Sequence, residues 1–252
     1  MINHHNKTAV ITGSARGIGR AIANALAKDG ANVAILDINA QGAKATAEAI
    51  KKEFNVRTWS AELNVMEKEN VLKVFQELDQ KFGQSDILVN NAGITTNVHT
   101  ITEMPMENWD KELSINLSGA FYCIKQVLPS MIKKKWGRIV NISSLAGASG
   151  GYGQCSYASS KAGLLGLTKT IALECARYNI TANAVLPGLV NTDAAAAIPE
   201  NLRQRIANTS PGRRMAEPSE IANVVSFLAS QEASYMNGAE IFVTAGAELF
   251  TF

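Results

Sequence analysis

Seven short apolar runs, six of them followed by a stretch of helical periodicity, limit this chain more than any single motif does. The runs are Thr8–Thr12, Asn32–Leu36, Val56–Ala61, Asp86–Val89, Arg138–Ile142, Ile180–Leu186 and the last near Ile241–Val243. Helical spacing is expected over 20–28, 40–54, 68–82, about 107–134, the stretch through Tyr157 as far as Tyr178, and 218–229. Strands this short, apolar on both faces and separated by helices predict a parallel sheet covered on each side. No repeat, low-complexity tract or linker divides the 252 residues. The expected fold is therefore α/β: one doubly wound, Rossmann-type domain over 1–252, with a parallel sheet of about seven strands and helices on both faces.

What lies between the first strand and the first helix is Thr12-Gly13-Ser14-Ala15-Arg16-Gly17-Ile18-Gly19. In such a loop Gly13 permits a tight turn, Gly17 lets backbone approach a pyrophosphate, and Gly19 allows close helix–strand packing. The helix start offers free N–H groups to phosphate. The spacing is looser than G-x-G-x-x-G, so the loop is read together with its strand and helix. Asp37 ends the second strand, 18 residues after Gly19. There a carboxylate accepts from ribose hydroxyls and repels a 2′-phosphate, by about 4 kcal/mol per unit charge at 4 Å and an effective dielectric of 20. Arg16 pulls the other way, because a guanidinium in this loop can pair with that phosphate. The balance predicts NAD, with NADP less favoured.

Tyr157 and Lys161 stand four residues apart on what reads as one helix face. An ammonium beside a phenol is expected to lower the phenol's ordinary pKa near 10. The pair then suits proton transfer at an alcohol or carbonyl. Alone the spacing is weak, since a helical Tyr at the core edge with a solvated Lys looks the same.

Composition removes several classes of function. A net charge of +2 gives no reason to expect nucleic acid or an acidic membrane surface as partner. Cys123, Cys155 and Cys175 lack C-x-x-C spacing, which suggests a reducing compartment and neither a disulfide framework nor a metal site. No apolar run approaches 18 residues, and the start lacks an apolar leader core, so the expectation is a cytoplasmic protein. His4-His5 reads as a frayed end without metal ligands nearby.

Taken together, these motifs resemble the short-chain dehydrogenase/reductase family along essentially the whole chain. They are the glycine loop Thr12–Gly19, Asn90-Asn91-Ala92-Gly93, Asn116 in Ser114-Ile-Asn-Leu, and Ser144 lying 13 residues before Tyr157. Tyr157-x-x-x-Lys161 and Pro187-Gly188 followed by Thr192 complete the set. The resemblance implies Tyr157 as general acid/base, Ser144 as a hydrogen-bond partner of the substrate oxygen, and Lys161 as both pKa-lowering cation and ribose ligand. Asn116 would hold a water linking Lys161 to solvent. Asn90 and Gly93 would line the adenosine side of the cleft, although Asn90 as a sheet brace is an equal alternative. Val190 and Thr192 would hold the nicotinamide carboxamide. Where the family usually has Asp-Val at the adenine, this chain has Asn64-Val65.

The segment 191–216, with its Ala194–Ala197 run and Arg203, Arg205, Arg213 and Arg214, resembles the family's variable substrate loop. Gly150–Gln154 reads as open and polar near the reacting carbonyl, with Gln154 a substrate contact. That favours an NAD-dependent dehydrogenase of a small polar alcohol, polyol or sugar. The alternative is a 3-oxoacyl-carrier-protein reductase using NADPH, suggested by Pro211-Gly-Arg213 and by Lys133–Lys135 as a docking patch for an acidic carrier. A non-catalytic nucleotide-binding scaffold is the third reading. The apolar end Leu249–Phe252 favours burial against a partner, and the family resemblance suggests a homotetramer.

Overall fold

The computed structural model describes residues 2–95, 98–196, 198–208 and 210–249, without the side chain of Ala194. Phe250, Thr251 and Phe252 of the apolar end, and Ala197 of the alanine run, lie outside the described residues. The first three strands are β1 (Thr8–Thr12), β2 (Asn32–Asp37) and β3 (Thr58–Glu62). They are followed by β4 (Ile87–Asn90), β5 (Gly137–Ile142), β6 (Ile180–Pro187) and β7 (Glu240–Val243). They form one parallel sheet in the order β3-β2-β1-β4-β5-β6-β7. The order reverses between β1 and β4, which opens a crevice at the carboxyl ends of those strands.

Every residue of β1, β4, β5 and β6 is buried, as strands covered on both faces require. Helix α1 (Gly17–Lys28) lays Ile22, Ala23, Leu26 and Ala27 on one side of the sheet. It packs there against α10 (Pro218–Leu228) through Ile221, Ala222, Val225 and Leu228. Each such fully buried Ile or Leu contributes about 1.5–3 kcal/mol. Helices α2 (Ala40–Phe54), α3 (Lys68–Lys81), α4 (Met106–Leu113), α5 (Gly119–Lys134), α6 (Leu145–Ser149) and α7 (Cys155–Cys175) complete most of the cover.

Three local features refine the sequence reading. The helix expected over about 107–134 is interrupted by a π-helical turn at Ser114–Ser118, which joins α4 to α5. The segment 191–216 holds two short helices, α8 (Asp193–Ala196) and α9 (Glu200–Ala207). His4 is no frayed end: it is 1% exposed, and its backbone N–H donates to the Asp29 carbonyl at 2.8 Å. Its Nε2 lies 3.0 Å from Ser226 Oγ, and that hydroxyl donates to Asp29 Oδ2 at 2.6 Å. Burial lowers the His4 pKa, so the ring is held neutral.

Candidate active site

The glycine loop is shaped by what surrounds it. Gly13 and Gly17 take φ of 62° and 57°, conformations that glycine adopts without penalty. A Cβ on Gly13 would stand 2.7 Å from Ala92 Cα, and one on Gly19 would overlap the Gly13 carbonyl. A Cβ on Gly17 would meet the Thr192 side chain at 3.7 Å, an ordinary contact, so here it is the positive φ that calls for glycine. A glycine-lined helix start, with Asp37 at the neighbouring strand end, fits the diphosphate and ribose of a dinucleotide. Arg16 is exposed at the N-cap of α1. Ile18 packs against the apolar layer under the loop.

Two residues that the sequence reading passed over hold the loop in place. Thr12 Oγ1 accepts the N–H groups of Asn91 and Ala92 at 3.1 and 3.0 Å. The Asn91 amide donates to the carbonyls of Thr12 and Gly13 at 2.9 and 2.7 Å. Asn91 lies inside the motif whose first residue drew attention, and only the fold shows that the second carries the loop.

Several expected cofactor contacts have side chains committed elsewhere. Ser14 is fully buried; its hydroxyl donates to Ile11 O at 2.7 Å and its N–H to Leu36 O, so it braces the loop. Asn90 donates to Asn141 Oδ1 at 2.8 Å, and Asn141 donates to Thr168 Oγ1 at 2.8 Å, a chain of braces from β4 through β5 to α7. Asn64 accepts from Met66 N–H and donates to Glu67 Oε1, closing the turn before α3. Val65 is buried against Gly119, where an added Cβ would approach within 2.8 Å. Val190 is buried as well and pairs through its backbone with Ala216. Gly188 donates its N–H to Val243 O at 3.1 Å after Pro187 ends β6.

Asp37 does reach the crevice. Its Oδ2 accepts the Ala15 N–H and its Oδ1 the Asn39 N–H, both at 2.9 Å, so the carboxylate is fixed at the end of β2.

The four expected catalytic residues are brought together on the other side of Gly93. A Cβ there would lie 3.1 Å from Lys161 Nζ and 3.2 Å from Asn116 Oδ1, which sets the β4 loop directly against both. Asn116, 1% exposed in the π-helical turn, accepts the Ile94 N–H at 2.8 Å. Its amide donates to Ile94 O at 2.9 Å and to Ser160 Oγ at 3.0 Å. Ser144 is the N-cap of α6, where its hydroxyl accepts the Ala146 N–H at 3.2 Å and acts to draw the Tyr157 phenol down. Lys161 is 4% exposed and donates to Ile142 O at 2.8 Å, and burial brings its pKa down to about 8. Its Nζ is 5.7 Å from the centre of the Tyr157 ring.

The expected lowering of the tyrosine does not appear in the protein alone. Burial holds the Tyr157 phenol above the ordinary tyrosine value; the Ser144 hydrogen bond draws it down, and the charge of Glu112 pushes it further up. Desolvation of the phenol outweighs the pull of Ser144.

On the substrate side, Gly150 and Gly153 have φ of 76° and 72°. The Gln154 N–H donates to Gly151 O at 3.0 Å, and His99 N–H donates to Gly153 O at 2.9 Å. The turn is thus tied into itself and is less open than its composition suggests. Beside Ser144 opens a cavity of about 360 Å³, lined chiefly by apolar groups including Leu145, Leu189, Ile206, Ala207 and Val243. Lys134, at the centre of the lysine run, is engaged with Asp86 at 2.6 Å and Ser85 O at 2.9 Å, which leaves a smaller patch than expected.

A seven-stranded parallel sheet with this crevice and this tetrad defines a class. Residues 13–248 match a family described as Enoyl-(Acyl carrier protein) reductase. The chain belongs to the short-chain dehydrogenase/reductase family and is an oxidoreductase whose family implies a nicotinamide cofactor. It is 43% identical to the 3-oxoacyl-[acyl-carrier-protein] reductase FabG of Aquifex aeolicus, over 97% of this chain and 98% of that protein. It is 40% identical to the protein of that name from Thermotoga maritima, over 95% and 97%. Among solved structures, levodione reductase matches with a TM-score of 0.94 at 30% identity, covering 98% of this chain and all (100%) of that one.

These relatives overturn the expectation of a dehydrogenase for a small polar alcohol, polyol or sugar. The apolar cavity and the self-bonded Gly150–Gln154 turn give the physical reason. Among the described residues no helix is long and apolar enough to cross a membrane.

Proposed function

We propose that this chain reduces the 3-oxo group of an acyl thioester, borne on an acyl carrier, to a 3-hydroxy group. The carrying observation is the 43% identity over 97% of the chain to a reductase of that name. The apolar cavity beside Ser144 supports it, because an acyl chain needs such a wall. The family description names an enoyl substrate instead. Near-full-length identity of 40–43% to ketone reductases carries more weight than that broad label.

A bound reduced nicotinamide supplies the hydride. Tyr157 gives its phenolic proton to the oxygen of the former ketone, and Ser144 donates a hydrogen bond to that oxygen. Lys161 steadies the charge left on the phenolate and binds the nicotinamide ribose. Asn116 positions the turn that carries Ser160 and links Lys161 to solvent. Gly13, Gly17 and Gly19 admit the diphosphate, and Thr192 contacts the carboxamide end. The fixed carboxylate of Asp37 supports NADH over NADPH as donor, by repulsion of a 2′-phosphate.

One domain carries both jobs, with 191–216 as the substrate-side segment. The apolar side chains that α5 and α7 expose, Phe121 and Leu173, support a homotetramer, and the free cysteines support a cytoplasmic setting.

The test is reduction of a 3-oxobutanoyl thioester, followed by nicotinamide absorbance with each donor. Turnover is expected with NADH ahead of NADPH. Turnover confined to ketones without a thioester would sink the substrate reading, and a preference for NADPH would sink the reading of Asp37. Asp37→Ser is expected to move the NADPH-to-NADH ratio of kcat/KM by roughly 10–100-fold, about 1.4–2.7 kcal/mol.

A further inference from the structure

Glu112 is a charged side chain only 1% exposed, sitting in α4 one turn before Asn116. It accepts a hydrogen bond from Ser156 Oγ at 2.6 Å. Ser156 immediately precedes Tyr157, and one turn later on α7 Ser160 receives the Asn116 amide at 3.0 Å. Two rungs four residues apart on each helix therefore join the α4–π-turn segment to α7, one on either side of Tyr157. Ser160 in turn donates to Tyr157 O at 2.7 Å, so the second rung also grips the backbone of the tyrosine. A buried carboxylate needs a specific reason to be where an apolar side chain would cost nothing.

We propose that Glu112 is a positioning residue for the general acid. Through Ser156 it fixes the helical turn that carries Tyr157, and it sets a carboxylate on the element packed against that turn. Among the described residues, groups on three elements act on this phenol. Ser144 stands at the start of α6 and hydrogen-bonds it, Glu112 stands on α4, and Lys161 lies on α7 with Nζ 5.7 Å from the ring centre. Ser144 and Lys161 favour the phenolate; Glu112 opposes them.

The inference rests on Tyr157 being the proton-transfer group, and its test is chosen to stand apart from the choice of substrate. Ultraviolet difference titration of the intact protein, with Tyr157→Phe as the blank, follows ionisation of this phenol without turnover. Glu112→Gln keeps a hydrogen-bond acceptor for Ser156 and removes the charge, so the Tyr157 transition is expected at lower pH. The rising limb of the oxidation rate with a 3-hydroxyacyl thioester moves with it, each unit of displacement appearing as a tenfold faster oxidation on that limb. Ser156→Ala keeps the charge and breaks the rung. It is expected to lower kcat in both directions with the phenol transition moved little. A Tyr157 transition that is the same in the wild type and in folded Glu112→Gln would overturn the proposal. A Glu112→Gln protein that melts early while Ser156→Ala leaves kcat intact would do so too, by reducing Glu112 to a packing role. Absence of thioester turnover with a shifted titration would count against the substrate reading alone.

Discussion

The two walls of the crevice are built differently. One wall, from β1, β4, β5 and α7, joins distant parts of the chain by buried hydrogen bonds: Thr12 with Asn91, Asn116 with Ile94 and Ser160, Lys161 with Ile142. The other, from Asn191 to Ala216, is held mostly by neighbours in sequence. Arg203 pairs with Glu200 and Gln204 bonds Asn208, while Arg214 reaches Glu220 just beyond the segment. Its ties to the rest of the protein include the Val190–Ala216 bridge and the Ser210 hydroxyl on Thr244 O. Buried polar networks tolerate little change, since a half-satisfied one costs more than an apolar core. A wall of local contacts can be rewritten without disturbing the fold. On the proposed function, the reaction belongs to the first wall and the choice of substrate to the second.

The sharpest way to break this contrast is at Tyr157. Tyr157→Phe is expected to lower kcat by roughly 10²–10⁴-fold while cofactor affinity is kept, measured by steady-state kinetics and by binding of the reduced nicotinamide. Residual turnover near the wild-type rate would mean that proton transfer lies elsewhere.

Lys161→Met tests what the first wall costs. The ammonium is buried with its pKa down to about 8 from an ordinary 10.5. The unfolded chain therefore binds the extra proton between those values, and stability rises with pH through that window. Below it the full penalty applies, so the substitution is expected to abolish turnover yet stabilise the fold at neutral pH, by up to about 3 kcal/mol. A denaturant melt that moved the other way would show that the Nζ–Ile142 bond outweighs the burial of charge.

In the second wall, Ala207→Leu pushes into the apolar cavity and should discriminate between acyl chains. A loss in kcat/KM of about 10-fold is expected for longer chains, with short ones affected little. Equal losses for all chain lengths would place the acyl group outside this cavity.

The smallest effect is remote from both walls. His4 is neutral when folded and its pKa is lowered, so the unfolded chain takes up more protons as pH falls. Stability should be complete above the ordinary histidine value near 6.5 and decline below it. His4→Gln is expected to flatten that part of the Tm-against-pH curve.

Much of the first wall was legible because its residues come in short motifs whose spacing is imposed by a strand, a turn or a helix. Strand order, the glycine loop and the Tyr157–Lys161 spacing all belong to that kind. The hydrogen bonds of Asn64 and Ser14 were not legible for the opposite reason: which way a small polar side chain turns depends on neighbours that spacing does not reveal. Arg138 makes the same point in the core. It opens an apolar run, yet is fully buried, with its guanidinium donating to the carbonyls of Gly137, Asn179 and Ser230. Glu112 looked like any solvated acid on a helix, and no pattern around it marks a buried charge.

By itself the sequence determined the parallel sheet, the glycine loop at its crevice and the spacing that sets Tyr157 and Lys161 on one helix. Each follows from local rules: apolar runs of strand length, glycines where a Cβ cannot stand, and a four-residue helical repeat. Tertiary structure alone decided how the phenol is poised, because burial, the Ser144 hydrogen bond and the Glu112 charge reach it from three separate elements. Electrostatics in a low-dielectric interior depends on distance in space, and distance in space is what a one-dimensional pattern leaves open.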